Sequence, residues 1–225
     1  NDIRNKDNIV AKRGALFMVD LMEAVKAEGY TVVHIKTDSI KIADADDYII
    51  NFVTEFGKKY GYNFEHEATY ERMCLVNDAV YVAYDKDHWT ATGAQFKHPY
   101  VFKTLFSGEE IEFDDLVETK EVKTALYLDM LESTGIAEDD HLVFIGKVGN
   151  FVPVVPGIGG GVLLREKDGK YHAATGTKNY LWMEAEVAAT LEMEDFIDMT
   201  YFEVLAYNAK ASISKYQDFD KFVAV

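Results

Sequence analysis

The amino-acid sequence predicts an α+β protein in which helices lie on one face of an antiparallel sheet. Residues 7–28 and 46–60 carry apolar side chains at helical spacing, whereas residues 31–43 and 79–84 have the composition and alternation of strands. Of the 225 residues, 48% are apolar and only three are proline, so the chain can build a core and lacks the composition of a disordered protein.

The first predicted helix, residues 7–28, can be capped by Asp7 or Asn8 and ends at Gly29. Residues 31–43 then predict a hairpin, and residues 46–60 predict a second amphipathic helix that Gly61 ends. In the first helix, the apolar side chains at helical spacing, which we expect to face the protein core, are Ile9, Leu16, Phe17, Leu21 and Val25. Those expected to alternate along the hairpin arms are Val33 and Ile35, and Ile40 and Ile42.

The second half of the chain has a different composition. From Glu109 to Glu121 there are seven carboxylates and one lysine, and we place a domain boundary here, giving domains 1–108 and 109–225. Residues 122–131 predict a helix, and residues 141–175 predict a small β element with Lys167–Lys170 as a hairpin tip. Residues 184–191 and 199–223 return to helical patterns.

Composition also limits the setting and the partners. Cys74 is the single cysteine and lies between apolar residues, which predicts a buried thiol in a reducing, intracellular protein. No apolar run reaches the roughly 20 residues that span a bilayer, so no membrane partner is expected. The N-terminal residues contain neither a signal-peptide core nor an initiator methionine, so we expect the chain to be part of a longer polypeptide.

The formal net charge of −16 argues against nucleic-acid binding by the chain as a whole, because phosphates require local positive charge. Local patches decide binding, however, and two basic patches stand out from the acidic background. Lys12 and Arg13 lie on the first predicted helix, and Lys97 and Lys103 fall in a stretch without acids. For each patch, a solvated surface is the alternative to a phosphate-binding role.

The tip of the predicted hairpin carries Lys36, Thr37, Asp38 and Ser39 where a strand pair would ordinarily turn through Gly or Asn. A carboxylate held between two strands and open to solvent suits a hard divalent cation such as Mg²⁺, which often takes only one or two protein carboxylates. The alternative is an aspartate that bonds the backbone of its own turn.

This tip resembles motif C of family B DNA polymerases, an Asp-Thr-Asp-Ser segment on a palm-domain hairpin. The resemblance extends to residues 11–29 before the tip and 64–81 after it. Residues 93–106, 146–151 and 176–186 are similar to C-terminal regions of bacteriophage-type polymerases of this family. The resemblance implies that residues 1–108 are the later part of a palm domain and residues 109–225 a thumb-like region of mixed helices and strands.

The resemblance also implies the chemistry, a template-dependent nucleotidyl transfer at two Mg²⁺ ions. Asp38 matches the principal motif C metal ligand, and the other carboxylate belongs to an upstream segment of the same polypeptide. Primer–template DNA and deoxynucleoside triphosphates are the implied partners, and the isolated chain is expected to be inactive. The residues expected to contact DNA are Lys36, Thr37, Ser39, Lys12, Arg13, Tyr81, Lys97 and Lys103.

Two positions depart from the family pattern. Lys36 replaces the first motif C aspartate, where a lysine could contact phosphate or reduce the negative charge of the metal site. A primer-gripping Lys-Lys-x-Tyr motif is represented only by Tyr81, and Lys97 and Lys103 could supply the missing charge. Two other interpretations stay open: a nucleotidyl cyclase-like phosphotransferase, and a non-catalytic module that binds nucleic acid or protein.

Overall fold

A computed structural model describes residues 9–131, 141–157, 160–174, 176, 178–183 and 196–224. The chain divides into two compact units, Asn1–Glu71 and Arg72–Val225. Helices and antiparallel strands occur in both units, which confirms the α+β class. Within the described residues, no helix is both long enough and apolar enough to cross a membrane.

The first unit has the predicted order of helix, hairpin and helix. Its elements are α1 (Ile9–Ala27), β1 (Val32–Ile35), β2 (Ile40–Ile42) and α2 (Asp47–Lys59). Leu21 and Val25 of α1 and Ile49 of α2 are fully buried and form the centre of the core. Burial of these side chains is what holds two short strands and two helices together, since a lone hairpin is only marginally stable in water.

Two expected core residues of α1 are exposed. Ile9 and Leu16 are 68% and 66% exposed, and the prediction that they face the core was wrong. The buried side of α1 is defined by Phe17, Met18, Leu21 and Val25. Leu16 precedes Phe17 by one residue, or about 100° of helical rotation, and therefore falls outside that stripe.

The hairpin also differs in detail from the expected alternation. The strand register shifts between Val32 and His34, so Val33 is an extra residue on β1 and is exposed. His34 is buried instead, while Ile35, Ile40 and Ile42 pack against the core as expected. A bulge of this kind inserts one unpaired residue and changes which side chains face inward.

The second unit begins with a three-stranded antiparallel sheet of β3 (Arg72–Asn77), β4 (Val80–Asp85) and β5 (His88–Thr92). The short helices α3 (Ala94–Lys97) and α4 (Pro99–Phe102) follow and lead into a π-helical turn, Lys103–Ser107. Near the other end of the unit are α5 (Met199–Ser214) and α6 (Phe219–Val223). The predicted helix over residues 199–223 is thus two helices, separated at residues 215–218.

One hydrophobic core joins these elements across the predicted boundary at residue 108. Cys74, Val82 and Trp89 from the sheet pack with Ala209 and Phe222 from the two C-terminal helices. The compact units therefore part at residues 71 and 72 rather than at 108, because the C-terminal helices supply the core of the sheet. The assignment of residues 1–108 to a palm and 109–225 to a thumb stays a prediction.

A second sheet in this unit closes on itself. Its strands are β6 (Glu118–Asp129), β7 (Leu142–Pro153), β8 (Val162–Lys167), β9 (Lys170–Ala173) and β10 (Tyr180–Trp182), in the order β10-β7-β6-β8-β9. Tyr180 of β10 also exchanges backbone hydrogen bonds of 2.8 and 2.9 Å with Gly161 at the start of β8. The interior is filled by Leu126, Leu128, Phe151, Leu163 and Tyr180.

This closed sheet confirms the predicted β element and corrects its boundaries. The hairpin tip at Lys167–Lys170 is present, with Asp168 and Gly169 in the left-handed region at φ values of 54° and 70°. Residues 122–131 are predicted as a helix, but residues 122–129 belong to β6 instead, so that prediction was wrong. The helix predicted over residues 184–191 lies outside the described residues.

Candidate functional site

The tip that carries Asp38 is a tight turn at the end of the β1–β2 hairpin. Ile35 and Ile40 form the last strand pair, and the backbone N–H of Lys36 donates a 2.9 Å hydrogen bond to the carbonyl of Ser39. Among described non-glycine residues, positive φ angles occur only at Asp44, Lys86 and Asp168. The tip therefore needs no left-handed residue, which explains why it can dispense with Gly or Asn.

Asp38 is exposed at this tip, while the strands beneath it are anchored in the core of the first unit by Ile35, Ile40 and Ile42. The Thr37 hydroxyl donates a long hydrogen bond of 3.4 Å to Oδ1 of Asp38. The Asp38 carboxylate is thus held by an anchored hairpin and is open to solvent. A metal ligand that also contacts a substrate requires both properties.

Asp38 can supply part of a Mg²⁺ site but not a complete one. Among the described residues, no group of three or more His, Cys, Asp or Glu side chains is placed to hold a metal ion. A single hard carboxylate oxygen fits Mg²⁺, which retains several waters and binds substrate phosphates. The donor chemistry is therefore compatible with a shared site that a second carboxylate completes.

The structure places the predicted site residues in both compact units. Lys36, Thr37, Asp38 and Ser39 lie together at the tip, with Ser39 half-buried and the other three exposed. Lys12 and Arg13 are exposed on α1 of the same unit. The remaining three residues, Tyr81, Lys97 and Lys103, belong to the second unit.

Of these three residues, only Lys97 is exposed. Tyr81 is half-buried on β4, paired with Leu75 and Thr92. The Nζ atom of Lys103 lies 2.8 Å from the Asp115 carboxylate and 3.1 Å from the Glu110 carbonyl. The hydrogen bond to Asp115 raises the pKa of Lys103, and the positive charge of Lys103 is balanced by the Asp115 carboxylate.

A buried carboxylate that the sequence did not reveal lies in the same unit. Glu118, at the start of β6, is 8% exposed and accepts hydrogen bonds of 2.7 Å from the Tyr180 and Tyr201 hydroxyls. The Nζ atom of Lys120 lies 2.7 Å from Oε2 of Glu118, and Nε2 of His98 lies 3.5 Å from Oε1 of Glu118. No local pattern signals this cluster, because its members come from β6, β10, α5 and the residue between α3 and α4.

Electrostatics keeps the Glu118 carboxylate ionised. Burial alone would raise the pKa of Glu118, but hydrogen bonds from His98, Lys120 and the two tyrosines outweigh burial and lower it to about 2. Burial and the neighbouring Glu118 charge together raise the pKa of Tyr201, so this hydroxyl stays protonated and remains a donor. The cluster is an internal link between β6, β10 and α5.

The acidic run from Glu109 to Glu121 is consequently less negative at its surface than its composition suggests. The Asp115 carboxylate accepts from Lys103 and from the backbone N–H of Glu112 at 2.7 Å, and Glu118 is enclosed as described. Two of the seven carboxylates between Glu109 and Glu121 are therefore neutralised by intramolecular partners.

Comparisons with protein-family models, with curated proteins and with solved structures found no match to this chain. Its function is therefore inferred from the residues and their arrangement.

Proposed function

We propose that this chain is part of a DNA-directed DNA polymerase and contributes Asp38 as one carboxylate ligand of a Mg²⁺ pair. The observation that carries the proposal is the Lys36–Thr37–Asp38–Ser39 sequence at the solvent-open tip of a hairpin whose strands are anchored in a core. The hairpin with α1 and α2 would form the later part of a palm domain, and the region after residue 108 would be thumb-like.

When bound, such a pair of ions lowers the pKa of a primer 3′-hydroxyl and stabilises charge on the transferred phosphorus and the leaving pyrophosphate. In this proposal Asp38 binds and orients one ion, and an upstream part of the same polypeptide supplies the second carboxylate. Lys36 offers a positive charge where primer or nucleotide phosphates approach. Thr37, Ser39, Lys12 and Arg13 hold the nucleic acid close to the tip.

The proposed partners are primer–template DNA and deoxynucleoside triphosphates in an intracellular setting. Backbone contacts from exposed cations such as Lys97 hold DNA without reading its sequence and weaken as salt rises. The proposal does not require the whole chain to be basic, because Lys12, Arg13 and Lys36 belong to the first unit and the acidic run belongs to the second.

The decisive experiment replaces Asp38 in the complete polypeptide that contains this chain. Asp38→Asn is expected to reduce Mg²⁺-dependent primer extension by at least about 10²-fold, because a neutral amide is a poor replacement for an anionic ligand. Asp44→Asn is the matched control, since Asp44 is exposed, lies in the same unit and has a φ of 50° that Asn tolerates. Mn²⁺ binding measured by electron paramagnetic resonance should weaken only in the Asp38 variant.

Two results would contradict the proposal. One is undiminished primer extension and Mn²⁺ binding by Asp38→Asn. The other is template-dependent synthesis by the isolated 225-residue chain, which would show that no second carboxylate from elsewhere is needed.

A further inference from the structure

Residues 141–183, which form every strand of the closed sheet except β6, are basic within this acidic sequence. Residues 141–183 contain five Lys or Arg residues and two acids, for a formal charge of +3, although the whole chain carries −16. The described members of this set lie on or beside strands of the closed sheet. Local charge of this kind decides which ligands a surface attracts, whatever the total charge.

The β8–β9 hairpin concentrates this charge on one face. Arg165 pairs with His172 and Lys167 pairs with Lys170, and cross-strand partners project from the same side of a sheet. These four side chains, with Asp168, line an open groove. The groove therefore presents several cationic donors to a single extended anion.

The outer face of the same sheet carries an exposed aromatic row. Tyr127 on β6 lies between Phe144 on β7 and Tyr171 on β9, with ring centroids 5.4 and 5.0 Å apart. Phe144 is 62% exposed and Tyr171 is 47% exposed. Leu126 and Leu128, which flank Tyr127, fill the interior, so the aromatic row faces outward.

The row and the groove meet at the edge strand β9. Lys170, Tyr171 and His172 are consecutive, so their side chains project alternately to the two faces. Glu166 pairs with Tyr171 across the strands and so lies on the aromatic side, where its charge would repel phosphates. Bases are therefore accommodated on the aromatic face, and phosphates are attracted to the groove.

We infer that the closed sheet binds single-stranded nucleic acid, with bases stacked on Phe144, Tyr127 and Tyr171 and phosphates held by Arg165, Lys167 and Lys170. The aromatic row and the groove lie on opposite faces of the sheet and share the edge strand β9, so a bound strand passes round that edge. A stacking platform and a basic groove are the combination that single-strand binding uses. Duplex is disfavoured because its bases are already stacked on one another. This inference goes beyond the proposed polymerase chemistry and requires neither Asp38 nor a metal ion.

The test measures fluorescence anisotropy of a labelled oligothymidylate of about 16 nucleotides, titrated with the chain in EDTA. Expected are a Kd in the micromolar range at low salt, weaker binding of a duplex of equal length, and a log–log salt slope of about −2 for three neutralised phosphates. Tyr171→Ala and Phe144→Ala should each weaken binding roughly 5- to 150-fold, the range for loss of one stacked base. Tyr171→Phe, which keeps the ring, should bind like the unmodified chain.

Matched controls separate the site from general surface effects. Tyr207 is 72% exposed on α5, and Tyr207→Ala should leave binding unchanged. The double variant Lys167→Ala/Lys170→Ala should bind more weakly and with a shallower salt slope, whereas Lys215→Ala/Lys221→Ala removes the same charge from the C-terminal helices and should not. Circular dichroism verifies that each variant is folded.

Several outcomes would overturn the inference: no binding to the oligothymidylate, equal or tighter binding of duplex, or aromatic variants that bind like the unmodified chain. The same titration with Asp38→Asn separates this inference from the proposed function, because single-strand binding should be unaffected by that change. Loss of primer extension with retained single-strand binding would support both proposals.

Discussion

Glu118 shows how a single side chain can set the acid stability of the second unit. Its pKa falls from 4.5 to about 2 on folding, so its stabilising contribution is fully present above pH 4.5 and is lost as the pH falls toward 2. The difference corresponds to roughly 3 kcal/mol in the free energy of unfolding. The chain is therefore expected to lose stability on acidification more steeply than a Glu118→Gln variant does.

The measurement is urea denaturation at a series of pH values between 6 and about 2.5, comparing the two proteins. At neutral pH, Glu118→Gln should already be less stable, because it leaves the charge of Lys120 without its carboxylate partner at 2.7 Å. Glu109→Gln removes an exposed carboxylate of the same acidic run and serves as the control. Identical pH profiles for the two variants would contradict the role assigned to Glu118.

At the residue scale, sequence reasoning succeeds where the signal is local. Asp38 could be placed at a hairpin tip because the turn and its flanking strands are contiguous in the chain. Glu118 could not be assigned, because its partners His98, Tyr180 and Tyr201 come together only through tertiary packing. Lys103 had the residue type of a phosphate ligand, but only the fold shows that Asp115 pairs with it.

At the scale of elements, Gly161 is the position that allows the second sheet to close. A Cβ atom there would lie 2.3 Å from the carbonyl oxygen of Asp129, which belongs to the backbone of β6 and cannot move cheaply. Gly161→Ala is therefore expected to destabilise the second unit by about 1–3 kcal/mol, the usual cost of overpacking. Urea denaturation followed by tryptophan fluorescence measures the change.

Gly14→Ala is the control. It makes the same chemical change, but we expect it to raise the free energy of unfolding instead of lowering it. Gly14 lies within α1, and a Cβ atom there would meet nothing within 4 Å. Gly14→Ala should therefore stabilise the first unit by roughly 0.5–1 kcal/mol through helix propensity. If Gly161→Ala were neutral, the close approach of β8 to Asp129 would not be needed for the fold.

The success of the element predictions follows the strength of the periodic signal. The helices α1 and α2 were predicted because Leu21, Val25, Ile49 and Val53 repeat at helical spacing over several turns. Strand β6 was mistaken for a helix because a register irregularity buries the consecutive residues Ala125 and Leu126. That interruption of the period of two produces apolar spacings that also fit a helix.

At the scale of the whole molecule, the division into compact units does not coincide with the change in local composition. The acidic run from Glu109 to Glu121 lies inside the second unit, Arg72–Val225, and not at its edge. Long-range packing decides the division, since the C-terminal helices return to cover the sheet formed by β3, β4 and β5. Contacts between residues so distant in sequence leave no periodic trace that a single sequence could reveal.

This organisation predicts that a fragment ending at Gly108 cannot fold its sheet, although it contains the whole of β3, β4 and β5. In the complete chain, Trp89 packs 5.3 Å from the rings of both Phe106 and Phe222, and the Arg72 guanidinium donates a 3.0 Å hydrogen bond to the Phe222 carbonyl. Removal of α5 and α6 exposes this core and leaves the sheet without its helical cover.

The tryptophan fluorescence of the 1–108 fragment comes from Trp89 alone, because Trp182 is absent from it. This fluorescence therefore reports whether the sheet has formed its core. We expect red-shifted, water-exposed Trp89 emission and no near-ultraviolet dichroism from the fragment. Trp182→Phe in the complete chain supplies the reference spectrum of the enclosed Trp89, which is 9% exposed. Far-ultraviolet dichroism should still show helix from α1 and α2, whose core lies within residues 9–71. A blue-shifted, native-like Trp89 spectrum in the fragment would instead support the boundary at residue 108, because the sheet would then hold its core without the C-terminal helices.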